Sequence, residues 1–380
     1  MEHEVPLEIS SRLSNINHAL PFELLGEIFS CISEDPLDLR YATFVCRLWH
    51  NMIVHHANLW TNIILGHAFL ARFRGARLPH GDAFIRLCLT RSSPLPLHIS
   101  IHDSNCGSLY RKRPLSAECF SLVKHILKGQ PENLFQRCRT LSWYLYKRAV
   151  EARLVMRALT SASLPALEYL TIKNLNLSED DLITRFPRLP QLKEVTLIDH
   201  EVKCVPPLFH DDDFAKTERL SFAITSRWID YDVICVRRFR SIRTLILKET
   251  NPDDDEPYRM LNGSLEPAEL PLLETLTLSG RVAHQVLKLI RTLILREMEI
   301  EASPVEGRHS LVAINLVHMV QSLERLHVSL SEGMHDTCWV EELEQLAAEA
   351  PSLVSVCIDP WMAQCLKEKG WCTSLHIYGL

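Results

Sequence analysis

The sequence predicts a two-part α/β protein, in which a small group of three N-terminal helices is followed by an α/β solenoid with a curved parallel sheet. Apolar residues first recur at helical spacing over a short stretch near the start. From residue 167 onward, a strand-like pattern of leucines then recurs about every 25 residues. A length of 380 residues, which is long for one globule, agrees with this division.

Composition indicates a folded protein of the cytoplasm, the nucleus or both. Hydrophobic residues make up 47% and charged residues 23% of the chain, and no apolar run reaches the roughly 18 residues that cross a bilayer. The start carries early acids and lacks an apolar signal region. A formal charge of -6 gives no broad basic field for nucleic acid. We therefore expect no membrane and no nucleic-acid partner.

The 12 cysteines show neither a metal-binding nor a disulfide pattern. No C-x-x-C spacing occurs, so we interpret them as reduced and mostly buried small side chains. The adjacent His55 and His56 would point about 100° apart on a helix and could not easily chelate one ion. We expect no metal site and no cofactor.

The N-terminal segment is predicted to begin with a flexible tail over residues 1–16 and to continue as short helices. The first helix carries an apolar stripe, with Pro21 suited to its first turn. That stripe consists of Leu24, Leu25, Ile28, Phe29 and Ile32. A segment of about 45 residues cannot bury so much apolar surface by itself, so something else must cover it.

A second helix is predicted to open at Asp35-Pro36, where Asp35 can cap and Pro36 takes the first helical position. One face of that helix is expected to carry Ala42, Val45, Trp49 and Met52. Another short helical piece is expected to end at Leu59 and Trp60.

Residues 17–62 resemble an F-box. The resemblance rests on Leu20-Pro21, Leu24-Leu25, Ile28-Phe29, Asp38-Leu39, Val45-Cys46-Arg47-Leu48-Trp49 and Leu59-Trp60, in that order and at familiar spacing. One departure is visible, because Phe44-Val45 stands where a Ser or Thr frequently precedes the Cys of this family.

The resemblance implies docking onto a Skp-type adaptor, which joins an F-box to a cullin scaffold and a RING subunit in an SCF ubiquitin ligase. Such an interface is a helix-in-groove contact with buried apolar anchors. The residues that match the motif and are expected to contact the adaptor are Leu20, Pro21, Leu24, Ile28, Val45 and Trp49. Holding the three helices together is the alternative role, for Trp49 and Phe29 above all.

The rest of the chain alternates helical stretches with short strands. Residues 63–163 are predicted as longer, irregular helix-strand units, and residues 164–380 as regular repeats. The strands are predicted at LEYLTI (167), LKEVTL (192), TERLSF (217), IRTLIL (242), LETLTL (273), LREMEI (295), LERLHV (323) and LVSVCI (353). The helices between them are predicted at SEDDLITRF, DYDVICVRRF, AHQVLKLI, SLVAINLVHMV and VEELEQLAAEA.

This period resembles that of leucine-rich repeats, in which each unit supplies one strand to a curved parallel sheet and one helix behind it. The period, and the lack of a Gly-rich strand-to-helix turn, argue against a doubly wound sheet. Acidic insertions at 204–214 and 251–267 are interpreted as solvated loops, with contact to a basic partner or a cation as the alternative.

In an L-x-x-L-x-L strand the leucines point inward, so the residues between them face the surface that solenoids use for binding. The candidate partner-binding residues are Tyr169, Thr171, Glu194, Thr196, Arg219, Ser221, Thr244, Thr275, Thr277, Arg325 and His327. They are mostly small and polar, with charges of both signs, and they identify no ligand. An ordinary solvated sheet face is the alternative interpretation of each.

No motif of a hydrolase, a nucleotide-binding enzyme or a metalloprotease occurs in the chain, so we expect no enzymatic activity. The sequence predicts a substrate-receptor subunit of an SCF-type E3 ubiquitin ligase, in which the repeats hold an unknown protein target. The first alternative is an interaction scaffold that binds the adaptor without the cullin. The second is a hydrolase or transferase carried by the C-terminal region.

Overall fold

A computed structural model divides the chain into two compact units, Met1–Tyr144 and Leu145–Leu380. The residues that it describes are 20–33, 36–66, 79–102, 131–144, 163–173, 188–200, 211–224, 236–249, 267–279, 289–302, 321–330, 348, 350–358, 360, 363–364, 368 and 376–379. The predicted tail at 1–16, the cap at Asp35 and nearly all of the acidic insertion at 251–267 lie outside them. So do most residues of the helices predicted between the repeats.

The first unit begins with three short helices, which confirms that prediction. They are α1 (Phe22–Ile32), α2 (Pro36–Ala42) and α3 (Arg47–His55), and a 3-10 turn follows at Ala57–Trp60. Pro21 lies just before α1, where its carbonyl oxygen accepts the N–H of Leu25 at 3.2 Å.

The prediction that Ala42, Val45, Trp49 and Met52 share one helical face is wrong, because the helix is broken between Ala42 and Arg47. The Thr43 hydroxyl donates to Arg40 O at 2.6 Å and takes up a carbonyl that the next helical turn would have used. Cys46 is extended, with φ -159° and ψ 170°. Val45 therefore lies in a turn and is 55% exposed, whereas Ala42 and Met52 are buried.

Helix-strand units complete the first unit. They comprise β1 (Asn62–Gly66), α4 (Pro79–Arg91), β2 (Leu97–His102), α5 (Pro131–Gln136) and β3 (Cys138–Tyr144). The strands are parallel, with β2 between β1 and β3. The sequence predicted irregular helix-strand units over residues 63–163, and β2 and β3 lie within that range. Strand β1 was not predicted, because it follows the 3-10 turn with no Gly or Pro between the two.

Arg137, just before β3, ties the end of α4 to the loop that follows it. Its guanidinium donates to Leu95 O at 2.6 and 2.9 Å and to Leu89 O at 3.2 Å. It also donates to Ser92, at 2.9 Å to the carbonyl oxygen and 3.0 Å to the hydroxyl. The planar guanidinium reaches all of these acceptors because its donors are held in a fixed fork. One side chain thus joins the carbonyl oxygens of Leu89, Ser92 and Leu95.

Replacing Arg137 with Lys should lower the free energy of unfolding of the first unit by about 1–3 kcal/mol, because an ammonium group cannot reach all of these acceptors. Faster amide hydrogen exchange in β2 and β3 would report the loss. The exposed Arg40→Lys is the matched control and should leave exchange unchanged. Equal amide exchange in the two variants would contradict a stabilising role for the Arg137 hydrogen bonds.

The second unit contains a parallel sheet that matches the predicted strands. Its strands are β4 (Tyr169–Lys173), β5 (Glu194–His200), β6 (Arg219–Ile224), β7 (Thr244–Glu249), β9 (Thr275–Ser279), β11 (Glu297–Ala302), β12 (Arg325–Leu330), β13 (Ser355–Ile358) and β14 (His376–Gly379). They are hydrogen-bonded in that order. All of the strands predicted from residue 167 onward are confirmed. The last strand, β14, has only one alternation of apolar residues and was not predicted.

Alternate residues of the strands β4 to β7, β9 and β11 to β13 form the core of the second unit. The inward side chains Leu170, Ile172, Val195, Leu197, Leu220, Leu245, Leu247, Leu276, Leu278, Met298, Ile300, Leu326, Val328, Val356 and Ile358 are at most 2% exposed. A turn before the strand adds two further buried residues, as where Leu167 N donates to Leu164 O at 3.3 Å and Leu192 N to Leu189 O at 3.2 Å. Each repeat therefore seals its inner face with its own leucines and those of its neighbours.

Two short strands pair apart from the main sheet. They are β8 (Ala268–Glu269) and β10 (Ile290–Arg291), in parallel. Ile290 was predicted to end the helix AHQVLKLI, and that part of the prediction is wrong because Ile290 pairs with Ala268 as a strand. A 3-10 helix, Asp211–Lys216, occupies the end of the insertion predicted as a loop at 204–214.

A ladder of charges runs along the residues that immediately precede the strands. They are Glu168, Lys193, Glu218, Arg243, Glu274, Arg296 and Glu324, and their signs alternate from one repeat to the next. Lys193 Nζ lies 3.0 Å from Glu168 Oε2, Arg243 Nη1 2.5 Å from Glu274 Oε1 and Arg296 Nε 3.9 Å from Glu324 Oε1. We call these residues the charge ladder. The carbonyl oxygen of each accepts two consecutive N–H groups from the next repeat, so side chains and backbone specify the same register.

Reversing one rung, Arg243→Glu, should lower the free energy of unfolding of the second unit by about 1 kcal/mol, because it places three carboxylates side by side. Urea unfolding in low salt would measure the change, and 1 M NaCl should reduce it through screening. Arg240→Glu, an exposed arginine outside the charge ladder, is the control. An equal loss in that control, or a loss that salt does not alter, would count against the ladder.

Candidate interaction surfaces

Helix α1 has two apolar faces, of which only one is covered by the first unit. Leu25 and Phe29 are at most 1% exposed, whereas Leu24 is 50% and Ile28 39% exposed. Pro21, at the start of the helix, is also exposed, and Leu20 is half-buried. Two of the predicted adaptor contacts thus form an uncovered stripe on this helix.

Two aromatic contacts join α1 to α3, one through the buried Phe29 and one through the half-exposed Phe22. The ring centroids of Phe29 and Trp49 lie 5.1 Å apart in an edge-to-face arrangement, and those of Phe22 and His56 lie 5.7 Å apart. Because Phe22 meets the end of α3 and Phe29 meets its start, the two helices run antiparallel. Trp49 is half-buried in this contact, so it serves the packing of the helices whatever else it touches.

The turn between α2 and α3 exposes a second group of large apolar side chains. Phe44 is 75% exposed, and Tyr41, Val45 and Leu48 are 62%, 55% and 37% exposed. We call these four residues the turn patch. Of them, the sequence indicated only Val45 as a contact, because Phe44 departs from the F-box pattern and Tyr41 and Leu48 lie at positions that the pattern leaves variable.

The candidate partner-binding residues of the second unit form two rows across the sheet. Parallel pairing places Tyr169, Glu194, Arg219, Thr244, Thr275 and Arg325 in one row, and Thr171, Thr196, Ser221, Thr277 and His327 in the next. The predicted residues therefore lie along two rows of the outer face, with Glu297 between members of the first row and Ile246 and Glu299 between members of the second. Thr277 differs from the others, because it is only 9% exposed and donates to Glu299 Oε2 at 3.0 Å.

Strand β11 adds an acidic element that the sequence analysis did not name. Glu297, Glu299 and Glu301 share its outer face by strand alternation. Glu297 forms an ion pair with Arg325, and Glu299 Oε1 lies 3.5 Å from His327 Nδ1. The predicted strand LREMEI already contained Glu297 and Glu299 between its inward apolar residues. These two positions correspond to the candidate partner-binding positions of the other strands.

Among the described residues, the two buried cysteines, Cys88 and Cys138, offer no nucleophile at neutral pH. Burial raises the pKa of the Cys88 thiol to about 12, and it does the same for Cys138. Both are therefore protonated and inert. Cys31, by contrast, is exposed on α1, one helical turn after Ile28. Within the described ranges, no group of three or more His, Cys, Asp or Glu side chains is placed to hold a metal ion.

Comparison with known protein families identifies the helical segment. Residues 18–66 match the F-box-like family. This F-box-like domain indicates a role in protein interaction, since domains of the family generally bind Skp-type adaptors. No curated protein matches the chain. In the part of the chain that the structure describes, no helix is long and apolar enough to span a membrane.

Alkylation should distinguish the exposed cysteine from the buried ones. In the native protein at pH 8, iodoacetamide should modify Cys31 of the F-box-like domain and leave Cys88 and Cys138 unmodified, because their thiols are buried and protonated. Peptide mass spectrometry would measure the extent of modification at each site. All three should react after denaturation, which is the control. Rapid native modification of Cys88 or Cys138 would show that the core of the first unit opens.

Proposed function

We propose that this chain is a substrate-receptor subunit of an SCF-type E3 ubiquitin ligase in the cytoplasm, the nucleus or both. The F-box-like domain docks on a Skp-type adaptor, and through it on a cullin-RING core. The second unit is a leucine-rich-repeat-like solenoid with a curved sheet, and it binds a protein target. The observation that carries the proposal is the exposure of Leu24, Ile28 and Val45 in a domain that matches the F-box-like family.

The energetics favour a partner over these three side chains. Each leaves roughly half of its surface in water, so covering it contributes about 1 kcal/mol or slightly more per residue. The inner face of the same helices is already filled by Leu25, Phe29 and neighbouring core residues. A groove that receives an amphipathic helix supplies the missing cover.

The second unit supports target binding in a different way. The inward side chains of its strands are buried, while the two outer rows carry mostly short hydroxyl side chains and charges of both signs, with Ile246 as an apolar member. Short side chains leave room for a partner to approach the sheet. The paired charges would orient a partner of complementary charge. The residues predicted there, together with Glu297, Glu299 and Glu301, are the proposed target-binding set.

In this proposal the chain contributes proximity and has no enzymatic activity of its own. The adaptor binds the F-box-like domain, and the sheet of the second unit holds the target. Target lysines then reach a high effective concentration beside an active site that another subunit carries. No residue of this chain needs to touch the bond that forms. No cofactor or metal is required for that role.

The alternative proposal is a scaffold that binds the adaptor but does not assemble with a cullin. It shares every surface described above, so it differs only in the composition of the complex. A hydrolase or transferase in the second unit would instead need convergent polar residues in a closed pocket, whereas the proposed target-binding set lies on an open sheet face.

Co-expression of the full chain with a Skp-type adaptor should yield a stable complex, and the variant Leu24→Glu with Ile28→Glu should not, because each change places a charge in an apolar groove. Leu272→Glu, an exposed leucine of the second unit, is the matched control. Size-exclusion chromatography would measure the complex. Failure of the wild-type chain to co-purify would overturn the proposal.

Adding the cullin to that complex separates the two candidate functions. Co-elution of the adaptor, this chain and the cullin supports the ligase receptor. An adaptor complex that excludes the cullin supports the scaffold.

A further inference from the structure

We propose that Phe44 is a further anchor for the adaptor and makes this F-box-like domain selective for an adaptor with an apolar recess opposite the turn between α2 and α3. The inference rests on the proposed docking to a Skp-type adaptor. It is based on the turn patch of Tyr41, Phe44, Val45 and Leu48.

Within the described part of the first unit, Phe44 takes little part in the packing. It is 75% exposed, the highest value among the large apolar side chains of the described part of the first unit. Its neighbours Leu39 and Ala42 fill the core instead. An exposed phenylalanine adds little to the free energy of folding, but it can contribute strongly to a contact that desolvates it.

Hydrogen bonds within the chain itself hold the backbone around Phe44 in a defined turn. Phe44 N donates to Tyr41 O at 3.0 Å, Val45 N donates to Ala42 O at 3.2 Å, and the Thr43 hydroxyl donates to Arg40 O at 2.6 Å. A side chain on such a turn is presented in a limited set of orientations. Binding through Phe44 therefore costs less ordering entropy than binding through a loose loop.

Continuity with Val45 identifies the occupant. Consecutive Cα atoms lie about 3.8 Å apart, so a partner that covers Val45 reaches the backbone of the neighbouring Phe44, whose side chain is also exposed. Tyr41, three residues before Phe44, and Leu48, three residues after Val45, are exposed as well. The partner that the proposed function places on Val45 is thus the one that meets Phe44.

The same proximity makes Phe44 selective. An adaptor with an apolar recess at that point gains the burial of an aromatic ring. An adaptor with a charged side chain there would have to desolvate the charge against the ring, which is unfavourable. A smaller side chain at position 44 would not distinguish between these adaptors.

Affinity for a purified Skp-type adaptor tests the inference. Phe44→Ser should weaken binding roughly 30-fold, as expected for an aromatic anchor, and Phe44→Leu should weaken it only a few-fold. Isothermal titration calorimetry would measure both dissociation constants. The melting temperature should stay unchanged, because Phe44 is mostly exposed. Leu293→Ser, which alters a leucine that is 80% exposed in the second unit, is the matched control and should bind as wild type does.

The outcomes separate this inference from the function on which it rests. If the wild-type chain binds the adaptor and Phe44→Ser binds within twofold of it, the anchor is refuted and the receptor proposal stands. If the wild-type chain does not bind the adaptor, both are refuted. Equal weakening by Leu293→Ser would show unspecific adhesion and refute the anchor.

Crosslinking gives an independent readout. With Phe44 replaced by a photoreactive benzophenone amino acid, irradiation of the complex should crosslink position 44 to the adaptor. A crosslink to the second unit of the same chain, or to a second copy, would show another occupant of the turn patch and overturn the inference.

Discussion

The alternation of side chains along a parallel strand is the constraint on which the second unit depends. Because successive residues point to opposite faces, every leucine committed to the core leaves a neighbour on the outside. The inner residues of β4 to β13 are buried, and the strand pairing aligns them from one strand to the next, with one register shift between Ile198 and His200 where β5 pairs with β6. The outer rows are therefore aligned as a consequence of packing, and the proposed target-binding surface needs no further structural element to align it.

The helices of the first unit obey a similar rule with a different result. Helix α1 also has a filled face and an open one, but its open face carries Leu24 and Ile28 instead of hydroxyls and charges. Three short helices offer too little surface to cover both faces. The two units thus differ in what they leave to a partner: an apolar stripe in the first and a polar sheet face in the second.

Periodic features of this fold were readable from the sequence, and features set by single contacts were not. The strands from LEYLTI to LVSVCI repeat one pattern, so each occurrence supports the others. Strand β14 and the pairing of β8 with β10 lack such support, because two to four residues carry almost no period. On the outer face, Glu297 and Glu299 were readable in principle, since alternation assigns them as surely as it assigns Thr275 and Thr277.

The interruption between α2 and α3 shows why a local contact can decide a functional surface. Helical spacing alone placed Val45 with Ala42 and Met52, which would have buried it. The hydroxyl of Thr43 and the extended Cys46 end that periodicity, and the chain turns Val45 and Phe44 outward together. Had the helix continued, the segment would have gained a larger core and lost the turn patch. The turn patch thus exists because the helix stops at Ala42.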